Sequence, residues 1–218
     1  MISIVRYQQQ IKALLSPDEH RVFKKLNTPQ KIQTYLDSVA INFESTGETL
    51  LSPRQVIAQK RAHCMEGALL AAAAFAYHGQ LPLLLDLQTI PKDEDHVVTL
   101  FNVDGYWGAI SKTNHSILRY RDPVYKTVRE LALSYFHEYM MLDGKKTLRA
   151  YSEPYDLRVY KPEAWVVSEG ELDYIAEELD DSRHFPIAPE KNMKAVRRAS
   201  AIEIKALDFT EWDADKYL

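Results

Sequence analysis

The stretch from Arg61 to Gly79, RAHCMEGALLAAAAFAYHG, decides the fold. Alanine and leucine are strong helix formers, and they dominate this stretch after Cys64. Because the resulting helix is apolar on nearly every face, we expect it to be buried as the central helix of the domain. Gly79 stands where a glycine commonly ends a helix in the left-handed conformation, so the helix is predicted to stop just before it.

Three pairs of a hydroxyl residue and a proline predict helix starts upstream of this stretch. A serine or threonine caps a helix N-terminus, and proline fits the first helical turn. The pairs are Ser16-Pro17, Thr28-Pro29 and Ser52-Pro53. The third helix is predicted over residues 53–59, so it ends shortly before Cys64.

The pattern changes to strands after Gly79. An apolar run covers residues 81–89, and residues 96–103 are rich in β-branched and aromatic side chains. Asp104-Gly105 is a hairpin-turn dipeptide, so residues 106–110 are predicted as the return strand. Helices, then antiparallel strands, then further helices predict the α+β class, with N-terminal helices and a buried central helix packed on an antiparallel sheet.

The region after the hairpin carries weaker signals. Arg121-Asp122-Pro123 is predicted to break the chain, and a helix is predicted over residues 128–140. Residues 1–145 are expected to form the core, with residues 146–218 as an extension packed on it or as part of the same single domain. Residues 209–218 are expected to pack back as a terminal arm.

Length, charge and cysteine count limit the classes of protein to which the chain can belong. The chain has 218 residues, which is enough for one domain with a sizeable core. A net charge of -4 and a pI near 6.0 give no attraction to nucleic acid or to an anionic membrane. The single cysteine cannot form an intrachain disulfide, and residues 1–10 lack the apolar segment of a secretory signal. No apolar run approaches the roughly 20 residues of a membrane span, so we expect a soluble cytoplasmic protein, with its oligomeric state left open.

Cys64 is the candidate nucleophile. A lone cysteine is most often an inert buried side chain, but this one falls at the predicted first turn of the long helix. Unpaired backbone N–H groups and the positive end of the helix dipole stabilise a thiolate there, and residues 59–63 are basic. The same N–H groups can donate to a developing oxyanion. His96 begins a hydrophobic strand and is the candidate to accept the thiol proton.

The segment around Cys64, with its long helix ending at His78-Gly79, resembles the cysteine motif of transglutaminase-like domains. In that motif a small residue and a polar residue precede the cysteine. A carboxylate, here Glu66, often follows two residues later. The resemblance covers about residues 50–125 and implies the transglutaminase-like, papain-like fold.

The strands that follow carry the same resemblance. Residues 81–86 resemble the first strand of that domain's sheet, and His96 with the next residues resembles its histidine strand. Asp104-Gly105 and Trp107 resemble the hairpin turn and the return strand that bears a tryptophan. The order of cysteine before histidine along the chain also agrees with the family.

One position departs from the family pattern. The resemblance implies a third site residue, usually an aspartate, on the return strand just after the tryptophan, and Ser111 occupies that place. A serine hydroxyl can hydrogen-bond an imidazole but carries no charge to stabilise an imidazolium. Asn114 is an alternative third member, as asparagine is in papain-like enzymes, and a site without a third member is the remaining alternative. Asp122 is more distant and is better interpreted as the turn residue before Pro123.

The resemblance implies a thiol-dependent amide hydrolase or acyl transferase that acts on a peptide or protein amide through a cysteine thioester. The expected site is Cys64 as nucleophile, His96 as general base, Ser111 or Asn114 as its orienting partner, and Gln55, Gln59, His63 and Trp107 at the oxyanion or the cleft. No cofactor is expected.

Two other interpretations of these residues are a metal site and a module without catalytic activity. His63, Cys64, His96 and His115 lack the paired spacing of zinc ligands, so no metal site is predicted. The alternative function is a catalytically impaired module of the same fold that binds a peptide or protein partner. The missing aspartate favours that alternative, whereas the retained cysteine and histidine oppose it.

Overall fold

A computed structural model describes residues 1–45 and 47–213. Within these residues the α-helices are α1 Ile4–Leu14, α2 Pro17–Lys25, α3 Pro29–Asp37, α4 Pro53–Gln59, α5 Cys64–Tyr77, α6 Val128–Tyr135, α7 Pro162–Trp165, α8 Asp173–Asp180, α9 Glu190–Met193 and α10 Ala201–Ile204. The strands are β1 Ala40–Ile41, β2 Arg61–Ala62, β3 Leu83–Gln88, β4 His96–Val103, β5 Tyr106–Ile110, β6 Arg121–Tyr125, β7 Ala150–Ser152, β8 Tyr155–Asp156 and β9 His184–Pro186. Short 3-10 helices cover Leu157–Val159 and Lys205–Asp208.

The predicted helix boundaries around the central helix are confirmed. Ser16, Thr28 and Ser52 each cap a helix by accepting a hydrogen bond from a backbone N–H three residues later. Helix α4 covers the predicted residues 53–59. Helix α5 starts at Cys64, and Gly79 follows its end with a φ of 81°, in the left-handed region that glycine adopts without strain.

The main sheet is antiparallel, so the expected α+β class is confirmed. Its strands lie in the order β6-β5-β4-β3-β7-β9, and β8 pairs with the same edge of β3 as β7. The hairpin between β4 and β5 turns at Asp104 and Gly105, which both have positive φ. Such a turn matches the natural twist of two antiparallel strands and fixes their register. That register brings the start of β4 close to the end of β5.

The sheet is buried on both faces. Val97 and Phe101 of β4 pack into the cluster around α5, whereas Val98 and Leu100 pack into the cluster with α6. Successive strand residues point to opposite faces, which is why β4 reads as a continuous apolar run. Helix α5 is buried as predicted. No helix in the described part of the chain is both long and apolar enough to cross a membrane.

Two predicted features after the hairpin are wrong. Arg121-Asp122-Pro123 does not break the chain but starts strand β6. Strand β6 is an edge strand with an irregular register against β5, and proline is tolerated on an edge because its missing N–H removes no ladder hydrogen bond. Helix α6 ends at Tyr135 rather than near residue 140, because the next backbone N–H groups bond three residues back and tighten the chain into a turn.

The residues after 145 belong to the same sheet and core as those before. Strands β7 and β8 pair with β3, and Trp165 of α7 is fully buried with its Nε1 donating to the Tyr7 hydroxyl at 2.7 Å. The chain then returns along the loop after β5, where Phe209 accepts a backbone hydrogen bond from Ser116 at 2.9 Å. The expected terminal arm is described as far as Asp213, and the rest of it, including Tyr217, lies outside the described residues.

Candidate active site

A cleft of about 460 Å³ lies beside the N-terminal end of α5. Cys64 is half-buried on its wall, and His63 and His96 line it as well. Further walls come from the loops before β4 and after β5. The volume falls in the range of about 300–1,000 Å³ that is typical of ligand pockets in proteins.

The start of α5 is fixed by hydrogen bonds on both sides of Cys64. The parallel pair of β1 and β2 holds the chain just before it, with Ala40 opposite Arg61. His63 is the N-cap, and its Nδ1 lies 3.3 Å from the Met65 backbone nitrogen. The Glu66 carboxylate accepts the His63 backbone N–H at 2.8 Å, which completes a reciprocal capping box. Cys64 therefore stands at a rigid helix start.

Glu66 is a fully buried carboxylate beneath this helix start. Besides the His63 backbone N–H, it accepts hydrogen bonds from Asn42 Nδ2 at 3.1 Å, Thr49 Oγ1 at 3.0 Å and the Leu51 backbone N–H at 2.9 Å. A buried carboxylate is costly unless such donors satisfy it. Glu66 thus fastens the segment before α4, one wall of the cleft, to the first turn of α5.

His96 is the first residue of β4, and its ring is held in one tautomer by Ser111. Nε2 of His96 lies 2.7 Å from the Ser111 hydroxyl, and that hydroxyl donates to the Leu118 carbonyl. A hydroxyl has a single hydrogen, and the carbonyl can only accept, so Ser111 must accept from Nε2–H. The proton of neutral His96 is therefore on Nε2, which leaves Nδ1 as the nitrogen available to the thiol of Cys64.

The surroundings of Cys64 lower the pKa of its thiol and so favour the thiolate. Burial alone would raise the pKa of the thiol, but hydrogen bonds from His63 and His96 and the positive charge of the two rings lower it to about 5. Burial alone would also lower the pKa of His63, but its hydrogen bond to Cys64, the thiolate charge and the Glu66 carboxylate raise it to about 9. A thiolate is the nucleophilic form of cysteine, so the geometry favours attack on a carbonyl carbon.

The structure brings only some of the expected site residues together. Asn114 lines the cleft, but its amide is paired with the backbone of Trp212, with hydrogen bonds of 3.0 and 2.8 Å, and not with His96. Asn114 therefore binds the C-terminal segment to the cleft wall. Among the described residues, the hydrogen-bond partner of His96 Nε2 is Ser111.

Gln55, Gln59 and Trp107 lie outside the cleft, which corrects their expected places at the oxyanion or cleft. The Gln55 side chain closes the capping box of α4 and donates to the Glu169 carbonyl at 3.1 Å. Gln59 accepts from Arg61 at 3.0 Å on the exposed surface. Trp107 packs against the cluster on the α6 face of the sheet. Both glutamine side chains are therefore engaged away from the cleft.

Leu118 is a site residue that sequence reasoning missed. Its φ of 58° is in the left-handed region, which costs a non-glycine residue roughly 1–2 kcal/mol. Glu138 accepts the Leu118 backbone N–H at 2.7 Å and pairs with Arg121 at 2.7 Å, so this turn is held against its strain. The strained turn aims the carbonyl at Ser111. A left-handed leucine leaves no sequence signal, because glycine or asparagine is the usual marker of that conformation.

Lys112 is a second residue with no sequence signal. It lines the cleft next to Ser111, is only 2% exposed, and donates from Nζ to the Leu36 carbonyl at 2.9 Å and to the Val39 carbonyl. Burial lowers its pKa to about 8. Lys112 therefore ties the end of α3 to the strand end that carries Ser111.

One cluster of carboxylates lies near the cleft. Oxygens of Asp86, Asp95 and Asp180 lie within 4.8 Å of one another. Asp86 Oδ2 pairs with Nε2 of His184 at 2.9 Å, and Asp95 accepts from the Thr89 backbone N–H at 2.7 Å. In the described residues this is the group with metal-ligand spacing, and it includes neither Cys64 nor a histidine.

No protein-family model matches the chain, and no curated protein is significantly similar to it in sequence. The function is therefore inferred from the site's own geometry.

Proposed function

We propose that the chain is a thiol-dependent amide hydrolase or acyl transferase with a transglutaminase-like fold, and that Cys64 forms a thioester with the acyl group of a peptide or protein amide. The observation that carries the proposal is the arrangement of Cys64 at the start of buried α5, with His96 held by Ser111 beside it. A nucleophile next to a base that is itself oriented by a third group is the general signature of covalent catalysis.

The proposed reaction has two halves. The Cys64 sulfur attacks the carbonyl carbon, and the carbon–nitrogen bond of the amide breaks. The leaving amine takes the proton that His96 Nδ1 received from the thiol. Water or a second amine then attacks the thioester, gives a proton to His96 and releases the thiolate, so that the product is a carboxylic acid or a new amide.

The helix start supplies the remaining electrostatics in this proposal. The first backbone N–H groups of a helix have no acceptor within the helix. The N–H of Cys64 is therefore our candidate donor to the oxyanion of the tetrahedral intermediate. The expected glutamines are not part of the proposal, because their side chains are engaged at α4.

The burst of nitrophenolate released from p-nitrophenyl acetate tests the proposal. We expect one equivalent of nitrophenolate per protein, with a matching acetyl thioester on Cys64 by mass spectrometry. Cys64→Ser should abolish the burst, and His96→Asn should slow acylation about 10²–10⁴-fold, the usual effect of losing a general base. Adding a primary amine then separates acyl transfer from hydrolysis by the product formed.

Absence of a burst in the unmodified protein, or an equal burst from Cys64→Ser, would overturn the proposal. That result would instead favour the second candidate, a module that binds a peptide or protein partner in the same cleft. The observation in favour of this candidate is that the partner of His96 is the neutral Ser111, which cannot stabilise an imidazolium by charge.

A further inference from the structure

We propose that His63 is a second imidazole partner of the Cys64 sulfur. As an imidazolium, His63 places a fixed positive charge next to the thiolate, which compensates for the neutral Ser111 beside His96. This inference rests on the proposed function, because it concerns the same thiolate. It assigns two roles: His63 stabilises the thiolate as a lasting cation, and His96 moves the proton between the thiol and the leaving amine.

The hydrogen bonds of the His63 ring identify the nitrogen that can take up a proton. Nε2 lies 2.8 Å from the Thr49 carbonyl, which can only accept, so Nε2 carries a hydrogen. Nδ1 is then the basic nitrogen, and it lies 3.3 Å from the Met65 backbone nitrogen at the same helix start as Cys64. When Nδ1 takes a proton it can no longer accept from Met65 and instead donates to the sulfur.

Glu66 completes the charge arrangement on this side of the thiolate. Its Oε1 lies 3.4 Å from Nε2 of His63, and the carboxylate is fully buried. An imidazolium between a carboxylate and a thiolate is stabilised from both directions. Cys64 and Glu66 of α5 are the titratable groups that act directly on His63, and Thr49 presents its carbonyl. Glu44, His96 and Tyr139 line the same cleft.

The arrangement explains how the site can work with a neutral third residue. On the His96 side, Ser111 orients the ring but adds no charge. On the His63 side, Glu66 provides a buried carboxylate next to an imidazole. The carboxylate–imidazole pair is therefore present in this site, but it is formed by His63 and not by His96, the ring that moves the proton.

Alkylation of Cys64 by iodoacetamide as a function of pH tests this inference without any substrate. The chain has one cysteine, so the rate reports on Cys64 alone. We expect His63→Asn to move the inflection of the rate upward by about one to two pH units, the usual effect of losing a neighbouring opposite charge. Asparagine is a good N-cap, so this variant removes the imidazole and leaves a capping side chain at the start of the helix.

His137→Asn is the matched control, because His137 contacts Lys146 outside the cleft and should leave the inflection unchanged. An unchanged inflection in His63→Asn would overturn the inference and leave His63 as a helix cap only. If the alkylation rate of the unmodified protein rises only near pH 8–9, as for an ordinary thiol, the proposed function is overturned as well. A depressed inflection that His63→Asn does not move would overturn the role of His63 alone.

A second measurement does not depend on folding of a variant. The imidazole of His63 is titrated by NMR in the unmodified protein, before and after Cys64 is converted to its methyl disulfide. Blocking the thiol removes the thiolate charge, so the pKa of His63 should fall by one unit or more from its raised value. A pKa of His63 that does not respond to the block would contradict the inference.

Discussion

Ser111 shows how a single hydroxyl can define the chemistry of a histidine. It accepts from His96 and donates to the Leu118 carbonyl, so it fixes which nitrogen of the imidazole is basic. The hydroxyl carries no charge, whereas the family that the sequence resembles usually has an aspartate at this place. The hydroxyl therefore orients the ring, and the electrostatic stabilisation must come from elsewhere.

We predict that Ser111→Ala slows acylation by p-nitrophenyl acetate about tenfold. Loss of one hydrogen bond of about 0.5–1.5 kcal/mol frees the ring of His96, and a tenfold rate change corresponds to about 1.4 kcal/mol. The iodoacetamide inflection should move much less than in His63→Asn, because no charge is removed. Stopped-flow measurement of the burst rate checks the prediction.

Asn114→Ala is the matched comparison for this variant. Asn114 lines the same cleft, but its amide binds the backbone of Trp212, so we expect the acylation rate to change less than twofold. A tenfold loss in Asn114→Ala with little effect of Ser111→Ala would contradict the assignment. That result would restore Asn114 as the partner of His96.

At the residue scale, only the family resemblance indicates Ser111, because it implies a third site residue just after the tryptophan of the return strand. The hydroxyl of Ser111 lies 2.7 Å from Nε2 of His96, just beyond the end of β5. Gln55 and Gln59 were misplaced, because their partners are set by the ends of α4 and not by proximity in sequence to Cys64. Leu118 was not found, because its left-handed backbone has no residue-type signature.

At the scale of elements, α5 is a buried helix of the core and also carries the proposed nucleophile at its first residue. Its second turn runs against Lys112, and a Cβ added at Gly67 would lie 2.5 Å from Lys112 Cβ. The contact involves the base of the lysine side chain, which cannot swing away. The close approach holds the end of β5, and with it Ser111, against the helix that carries Cys64.

We predict that Gly67→Ala destabilises the protein by up to about 2 kcal/mol. Alanine gains about 1 kcal/mol of helix propensity over glycine, but overpacking of a core costs typically about 1–3 kcal/mol. Urea unfolding of Gly67→Ala and of the control Gly170→Ala measures the difference. At Gly170 an added Cβ meets only Ser168 Oγ at 3.9 Å, so little change is expected. A Gly67→Ala variant as stable as the parent would show that the contact relaxes freely.

Elements with local signals were predicted well, and those defined by distant partners were not. Capping residues and the alanine-rich run specify α2 to α5, because helix hydrogen bonds are local. Strand β6 was interpreted as a break, because Pro123 is acceptable only at a sheet edge and the sequence does not reveal which strand is at the edge.

At the scale of the whole molecule, the C-terminal third contributes to the sheet and to the cleft wall. Strands β7 and β8 extend the sheet beyond β3, and the segment around Phe209 lies along the loop after β5. Arg119 pairs with Glu211 at 2.9 Å across this contact. These pairings join residues that lie far apart in the sequence, so composition and periodicity could not predict them, and at this scale the α+β class was predictable.

The proposed function and the proposed role of His63 both depend on the ionisation of the Cys64 thiol. Because hydrogen bonds and charge from the two histidines outweigh burial, the folded-state pKa of the thiol is lowered to about 5, below the usual value of roughly 8.5. The thiolate therefore dominates above about pH 5 and is lost as the pH falls through that value. Stability that comes from the contact of the thiolate with the His63 imidazolium is lost as the pH falls through about 5, where the thiolate is protonated. It is also lost as the pH rises through about 9, where His63 gives up its proton.

The most direct test is the rate of iodoacetamide alkylation of the unmodified folded protein from pH 4 to pH 10, with Cys64→Ala as the blank. We expect a rise centred near pH 5 and a plateau through neutral pH. A rate that is low at pH 7 and rises only through about pH 8–9, as for an ordinary thiol, would contradict it.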